Sequence, residues 1–302
     1  MPLIQVRNLR KEYRGHVAVA DVSFDVEEGE IFGILGPNGA GKTTAVECIE
    51  GMRKRDGGQV DVMGLDPLTD VAELRQNIGI QLQQSELPPK LKVWEALDLY
   101  SSFYNNPVDW RELIEEWGLS EKADTAFGAL SGGQQQRLSI ALALVGRPRI
   151  AVFDELTTAL DPHARRETWK LIEKVRAQDV TVLLVTHFME EAERLCDRIA
   201  IIESGRVVAL DTPSGLVSSI DEQQIIRFKP SAPLDDTLLT SLPEVTSVSR
   251  SHSQVTVTGK GNVVYAVISV LARNQIVANE LRLEQASLDD AFVALTGSRP
   301  AR

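Results

Sequence analysis

Ile31-Phe32-Gly33-Ile34-Leu35-Gly36-Pro37-Asn38-Gly39-Ala40-Gly41-Lys42-Thr43-Thr44 decides the fold. A continuous apolar run, as expected of a strand buried on both faces of a parallel sheet, leads into a glycine-rich turn and the start of a helix. The turn fits G-x-x-x-x-G-K-[ST], a phosphate-binding loop, in the strand–loop–helix setting the pattern requires. Glycines tolerate positive φ and let backbone N–H groups close around phosphate oxygens. The helix N-terminus adds partial positive charge. In that geometry Lys42 reaches β- and γ-phosphates and the Thr43 hydroxyl ligates Mg²⁺. Gly36, Pro37, Asn38, Gly39, Ala40, Gly41, Lys42, Thr43 and Thr44 are therefore the candidate nucleotide-binding residues.

Outward from this loop, further strand-like runs are Ile4–Leu9, Val22–Val26, Ile150–Phe153, Val180–Val185, Arg198–Ile202 and Val207–Asp211. Strands alternate with helical patterns, which predicts an α/β fold. Residues 84–130 lack strand patterning and read as a helical insertion punctuated by Trp94, Leu97, Phe103, Leu113 and Trp117. Beyond residue 220 the pattern becomes strand, helix, strand, strand, helix, strand, then a last helix. That β-α-β-β-α-β order predicts a small ferredoxin-like α+β unit. The expected domains are thus 1–220 and 221–302.

The composition fits an ordinary globular chain, with 43% hydrophobic and 25% charged residues and a formal net charge of -11. An acidic chain offers no footprint for a nucleic-acid backbone, so a nucleic-acid partner is not expected. Cys48 and Cys196 stand apart from any C-x-x-C pair and read as buried thiols in a reducing compartment. Apolar runs such as Val263–Ala272 are interrupted and fall short of the ~18 residues of a membrane span. If the chain drives transport, a separate polypeptide must form the pore.

A second helix start lies in Leu130-Ser131-Gly132-Gly133-Gln134-Gln135-Gln136-Arg137. Ser131 and Gln134 have capping-box spacing. Two glycines in the first turn serve no helix, since each costs ~1 kcal/mol relative to Ala in a helix interior. They do leave backbone N–H groups bare for an anion. Ile150-Ala151-Val152-Phe153-Asp154-Glu155 is an apolar strand ending in two carboxylates, at the strand edge where parallel α/β sheets bind ligands. His187 follows the apolar run Val180–Val185 through Thr186, on the same edge.

Together these motifs resemble the ATP-binding-cassette (ABC) family over roughly residues 3–220. The resemblance implies a P-loop cassette with an antiparallel β subdomain and the helical insertion. It implies that Ser131, Gly132, Gly133 and Gln134 contact the γ-phosphate of ATP held by a second subunit. Asp154 resembles the Mg²⁺-associated aspartate, Glu155 the general base, His187 the switch histidine and Asp161 the residue that couples the two sites. Gln83 resembles the glutamine that senses Mg²⁺ and the γ-phosphate, with Gln81 and Gln84 as close rivals. Tyr13 resembles the aromatic that stacks on adenine. Leu156 and Ala159 depart from the family's usual Pro and Gly, and neither change removes a reacting group.

The resemblance further implies an ATPase with ATP and Mg²⁺ as ligands. A homodimer or paired cassettes and a separate transmembrane permease would be its partners, holding it at the cytoplasmic face of the plasma membrane. The tail Ser287–Gly297 and the run Thr186–Glu193 resemble the daunorubicin-resistance type of bacterial exporter. That similarity points to a drug, antibiotic or lipid-like cargo. The C-terminal unit, with no Gly-rich loop and no convergent His, Cys and carboxylate cluster, is expected to be regulatory or dimer-stabilising. The alternatives are an ABC ATPase of DNA repair or translation, and a binding-only regulator. Such non-transport ATPases usually carry a long coiled coil or two cassettes; this chain has one cassette. Lys42, Asp154, Glu155 and His187 speak against a binding-only role.

Overall fold

The computed structural model describes residues 2–81, 87–158, 160–220, 224–251, 253–284 and 286–297. Among the described residues, those up to Pro213 with Thr296 and Gly297 form one compact unit, and Ser214–Leu295 form a second.

The first unit opens with β1 (Ile4–Tyr13), β2 (His16–Val26), β3 (Ile31–Leu35), α1 (Lys42–Ile49), β4 (Gly57–Val62), α2 (Val71–Asn77) and β5 (Ile78–Gln81). Three helices follow: α3 (Val93–Ser101), α4 (Trp110–Glu116) and α5 (Gly132–Leu144). Then come β6 (Ile150–Asp154), α6 (Pro162–Arg176), β7 (Thr181–Val185), α7 (Met189–Leu195), β8 (Arg198–Glu203) and β9 (Arg206–Asp211). One nine-stranded sheet runs β4-β1-β2-β9-β8-β3-β7-β6-β5.

Two physical regimes meet in that sheet. The stretch β8-β3-β7-β6-β5 is parallel. Every residue of β3, β6 and β7 is buried, which is why these strands read as unbroken apolar runs. At the other end, β4-β1-β2 is antiparallel. There burial is interrupted, with Ile4, Val6 and Leu9 inside and Arg7, Asn8 and Arg10 outside. The expected α/β cassette with an antiparallel β part is therefore present, as are helices between β5 and β6. Phe24 of β2 and Phe32 of β3 stack at 5.0 Å between centroids. Burying one such side chain contributes roughly 1.5–3 kcal/mol. Cys48 and Cys196 are buried free thiols. Burial pushes the Cys48 thiol up to about 11, where it is inert at neutral pH.

The second unit contains α8 (Pro213–Ile220), β10 (Gln224–Pro230), α9 (Thr237–Thr240), β11 (Val245–Ser251), β12 (Gln254–Gly259), α10 (Val263–Arg273), β13 (Ala278–Glu284) and α11 (Leu288–Thr296). Its sheet runs β11-β12-β10-β13 with all pairings antiparallel. Val263, Val267 and Leu271, spaced four apart on α10, join Ile226, Phe228, Val255 and Val257 in a separate core. From β10 to β13 this is the β-α-β-β-α-β order that the sequence predicts. The first helix of that order is only the single turn α9. Among the described residues, no helix is long and apolar enough to cross a membrane.

Candidate nucleotide site

Strand register builds the site. β3, β7 and β6 are neighbours, with Ile34 opposite Val185 and Val185 opposite Asp154. The residues just beyond these positions emerge on one edge: the loop from Gly36, the pair Asp154-Glu155, and Thr186-His187. Backbone hydrogen bonds pin the two turns, Glu155 N donating to Val185 O at 2.9 Å and Thr186 N to Ile34 O at 3.3 Å.

The loop needs its glycines at two places in particular. Gly41 has φ 98 and caps α1, and a Cβ there would lie 2.3 Å from Ala18 O. A Cβ on Gly36 would lie 2.1 Å from Ile202 O. Lys42 folds back over the loop, its ammonium donating to Gly36 O at 2.9 Å and Pro37 O at 3.1 Å. Burial lowers the proton affinity of this lysine, and Glu155 and Asp154 oppose that effect.

Asp154 is buried, and its Oδ2 accepts from the Thr43 hydroxyl at 3.4 Å. Its Oδ1 is also buried and has no hydrogen-bond partner among the described residues. Burial first, then the neighbouring Glu155, pushes this carboxyl up to about 6. A hydroxyl and an under-satisfied carboxylate are hard oxygen donors, so these residues fit Mg²⁺. Among the described residues no cluster of three His, Cys, Asp or Glu could cage an ion. Mg²⁺ is commonly held by one or two carboxylates plus substrate phosphates.

Glu155 has φ 50, a left-handed conformation that costs a non-glycine residue roughly 1–2 kcal/mol. The turn is held by Thr158 N donating to Glu155 O at 3.1 Å and by Leu156, which is buried. This strained geometry aims the carboxylate at the loop and brings Glu155 Oε1 to 3.2 Å from His187 Nδ1. With Nδ1 protonated, the ring donates to the carboxylate.

A cleft of about 600 Å³ unites these groups, lined by Asn38, Gly39, Gly41, Lys42, Thr43, Thr44, Glu155 and His187. Three further lining residues, His16, Ala18 and Thr158, escaped the sequence reading. Tyr13 stands at the end of β1, its ring flanked by Lys11 Nζ at 5.2 Å and Arg53 Cζ at 5.3 Å from the centroid. Tyr13 is not among the residues lining the cleft. Gln81 closes β5 and is buried. Gln83 and Gln84, like Ala159, lie outside the described residues.

Ser131 is not in this cleft. It caps α5 in the expected capping box, accepting from Gln134 N at 3.4 Å while Ser131 N donates to Gln134 Oε1 at 3.0 Å. Ser131, Gly132, Gly133 and Gln134 line a second cleft of about 500 Å³ together with Asp161, Arg137 and His163. Asp161 caps α6 by accepting from His163 N at 2.8 Å and Ala164 N at 2.9 Å, which lowers its proton affinity. Within one chain the lysine-bearing cleft and the second helix start share no lining residue.

This arrangement is that of a P-loop nucleotide hydrolase. The ABC transporter family matches residues 19–158. A Nod factor export ATP-binding protein I of Mesorhizobium japonicum is 35% identical over 97% of this chain and 86% of its own length. Its Burkholderia orbicola counterpart is 40% identical over 72% of this chain and 73% of its own. A solved ATP-binding subunit of an ABC transporter superposes with TM-score 0.64 at 27% identity, over 72% of this chain and 92% of that one. A dimeric ATP-binding cassette in a post-hydrolysis state with ADP and Pi gives 0.62 at 29% identity, over 69% and 98%. The chain belongs to the ATP-binding subunits of ABC transporters. It is an ATPase, converting ATP and water to ADP and phosphate. The two relatives are named for Nod factor export rather than for drug export.

Proposed function

We propose that the chain powers a membrane exporter by ATP-dependent pairing of two cassettes. The reading rests on one observation: among the described residues, the glycine-bearing starts of α1 and α5 lie in separate clefts, and of these two the α1 start carries the lysine. A two-fold dimer turns each Ser131–Gln134 helix start toward the partner's Gly36–Thr44 loop. ATP would then be held between them, with the signature donors completing the stabilisation of charge on the γ-phosphate. The dimeric post-hydrolysis structure of a similar cassette supports this arrangement.

In this mechanism the loop N–H groups and Lys42 bind the β- and γ-phosphates. Glu155 orients the attacking water and takes its proton. His187, hydrogen-bonded to Glu155, faces the γ-phosphate and fixes the direction of the carboxylate. Mg²⁺ bound by Thr43 and Asp154, with Gln83 as a further ligand, would neutralise phosphate charge. Tyr13 would stack on adenine, and Asp161 would couple the paired sites. The chain would sit peripherally at the cytoplasmic face of the plasma membrane, held there by a transmembrane permease.

The helical segment would meet the permease. Phe103 is 61% and Leu99 47% exposed. Trp94 and Tyr104, by contrast, are spent on local packing against Trp110 and Gly146. The relatives' names favour export as the direction. The cargo, whether drug, antibiotic or lipid-like, would be read by the permease. The C-terminal unit would regulate or stabilise the pair.

The test has two arms. Lys42→Ala should abolish tight ATP binding in a calorimetric titration, and unchanged affinity would sink the phosphate-loop assignment. The full chain should crosslink from Leu99 or Phe103 to a multi-span membrane protein. Crosslinks confined to the C-terminal unit would refute the proposed contact.

A further inference from the structure

Glu191 lies on α7, four residues after His187, and is fully buried. A carboxylate so placed loses its hydration and must recover it from the protein. The Trp169 indole Nε1 on α6 donates to Glu191 Oε1 at 3.0 Å. Thr186 Oγ1 accepts from Phe188 N at 3.1 Å, which leaves its own proton to be directed at the carboxylate. Thr186 and Thr157 both favour the charged form of Glu191, as does Arg165 on α6. Arg165 in turn lies 4.0 Å over the Phe188 ring, and that ring packs 4.2 Å from the ring of His187.

The neighbours of Glu191 are the informative part. Thr157 follows Glu155 by two residues, and Thr186 precedes His187. α6 begins at the Asp161 cap. The contact with Thr157 is also slack. Thr157 Oγ1 and Glu191 Oε2 are both sealed from solvent, and neither has a fully formed hydrogen bond among the described residues.

We infer that Glu191 is a positioning residue for ATP hydrolysis: its buried carboxylate ties the turn carrying Glu155 and the turn carrying His187 to α6, the helix capped by Asp161. The inference rests on the assignment of Glu155 and His187 to hydrolysis. None of the groups in the cluster belongs to the phosphate loop. Its loss should therefore slow the chemical step and leave nucleotide affinity alone. A purely structural role would not separate the two.

The experiment measures kcat, KM and calorimetric ATP affinity on the full chain for Glu155→Gln, Trp169→Phe, Glu191→Gln and Glu191→Ala. Trp169→Phe keeps a six-membered aromatic ring at this buried position and removes the indole N–H with its five-membered ring, a smaller change than Glu191→Ala, so it tests the idea even where Glu191→Ala fails to fold. The expected loss of kcat in Trp169→Phe is about tenfold, the rate equivalent of one misplaced hydrogen bond. Glu191→Ala should be slower still, and KM should stay within about twofold in both. Glu191→Gln, whose amide oxygen still accepts from Trp169 and Thr186, should recover most of the rate. An unchanged kcat in Trp169→Phe, a joint change of kcat and KM, or a Glu191→Gln as slow as Glu191→Ala would overturn the inference. Parent-rate hydrolysis by Glu155→Gln would instead overturn the site assignment beneath it.

Discussion

His187 Nδ1 stands 3.2 Å from Glu155 Oε1, although 32 residues separate them. The register of β6 against β7 makes the contact, so the pair should act as a unit. Glu155→Gln should slow single-turnover hydrolysis by about 10²- to 10⁴-fold, the usual worth of a positioned general base. ATP affinity should change little, because Glu155 is not part of the loop. Adding His187→Ala to Glu155→Gln should cost far less than His187→Ala costs alone, as residues in one hydrogen-bonded unit are not additive. Independent losses in the double variant would show that the contact plays no part in the reaction.

Glu50, at the C-terminal end of α1, is buried and yields a pH-dependent prediction. Burial, then Asp154 and Glu47, raises its carboxyl from 4.5 to about 8. The folded chain therefore holds this proton more tightly than the unfolded chain. Stability from this group is intact below pH 4.5, falls as pH rises, and is fully lost above about 8. Glu50→Gln supplies a permanently neutral isostere. It should be near neutral in urea unfolding at acidic pH and stabilising at alkaline pH, by up to about 5 kcal/mol at ~1.4 kcal/mol per pKa unit. A variant equally stable relative to parent at both pH values would show that the carboxyl is not held neutral.

Legibility in the sequence followed burial. β3, β6 and β7 are buried on both faces, so their apolar runs announced them. β4, with two glycines and only two buried residues in Gly57–Val62, gave no such signal. Nor did β5, just four residues long. β1 and β2 run on through Arg10–Tyr13 and His16–Asp21, where partial exposure leaves no alternation to read. The site divided the same way. Residues inside one contiguous motif, such as Lys42 or Glu155, were readable because local chemistry requires them. His16 and Ala18 enter the cleft only through the β1–β2 hairpin packing over the loop, a tertiary fact with no local pattern.

The glycines of the phosphate loop and of the α5 start should respond oppositely to a methyl group. At Gly36 it meets the Ile202 carbonyl, so Gly36→Ala should fail to accumulate as folded protein. At Gly133 nothing lies within 4 Å. Gly133→Ala should fold with unchanged or slightly higher stability, by up to ~1 kcal/mol from helix propensity. It should nevertheless lower ATPase activity, since the methyl occupies the approach of a phosphate to bare N–H groups. Thermal melting and ATPase assays on the same sample check both halves. Parent-level activity would remove Gly133 from the nucleotide site.

The pairing of the two clefts yields the most demanding prediction. Glu155→Gln keeps shape and removes charge, so it should bind ATP, turn it over very slowly and accumulate as a closed dimer. Each interface would hold two nucleotides, each donated by one loop and clasped by the other chain's α5. Ser131→Arg puts a long side chain at the cap of α5, where the Ser131 hydroxyl now accepts from Gln134 N of its own chain. The fold should tolerate it, because the residue is exposed. Sizing the Glu155→Gln chain with ATP and Mg²⁺ should show a dimer, and adding Ser131→Arg should return it to monomer. The ATP affinity of the isolated chain should survive the second change, since its own phosphate loop is intact. A dimer that persists with Ser131→Arg would show that the signature helix does not face nucleotide. Loss of ATP binding by the monomer would show that Ser131 acts on its own chain's cleft, against the separation of the two clefts within one chain.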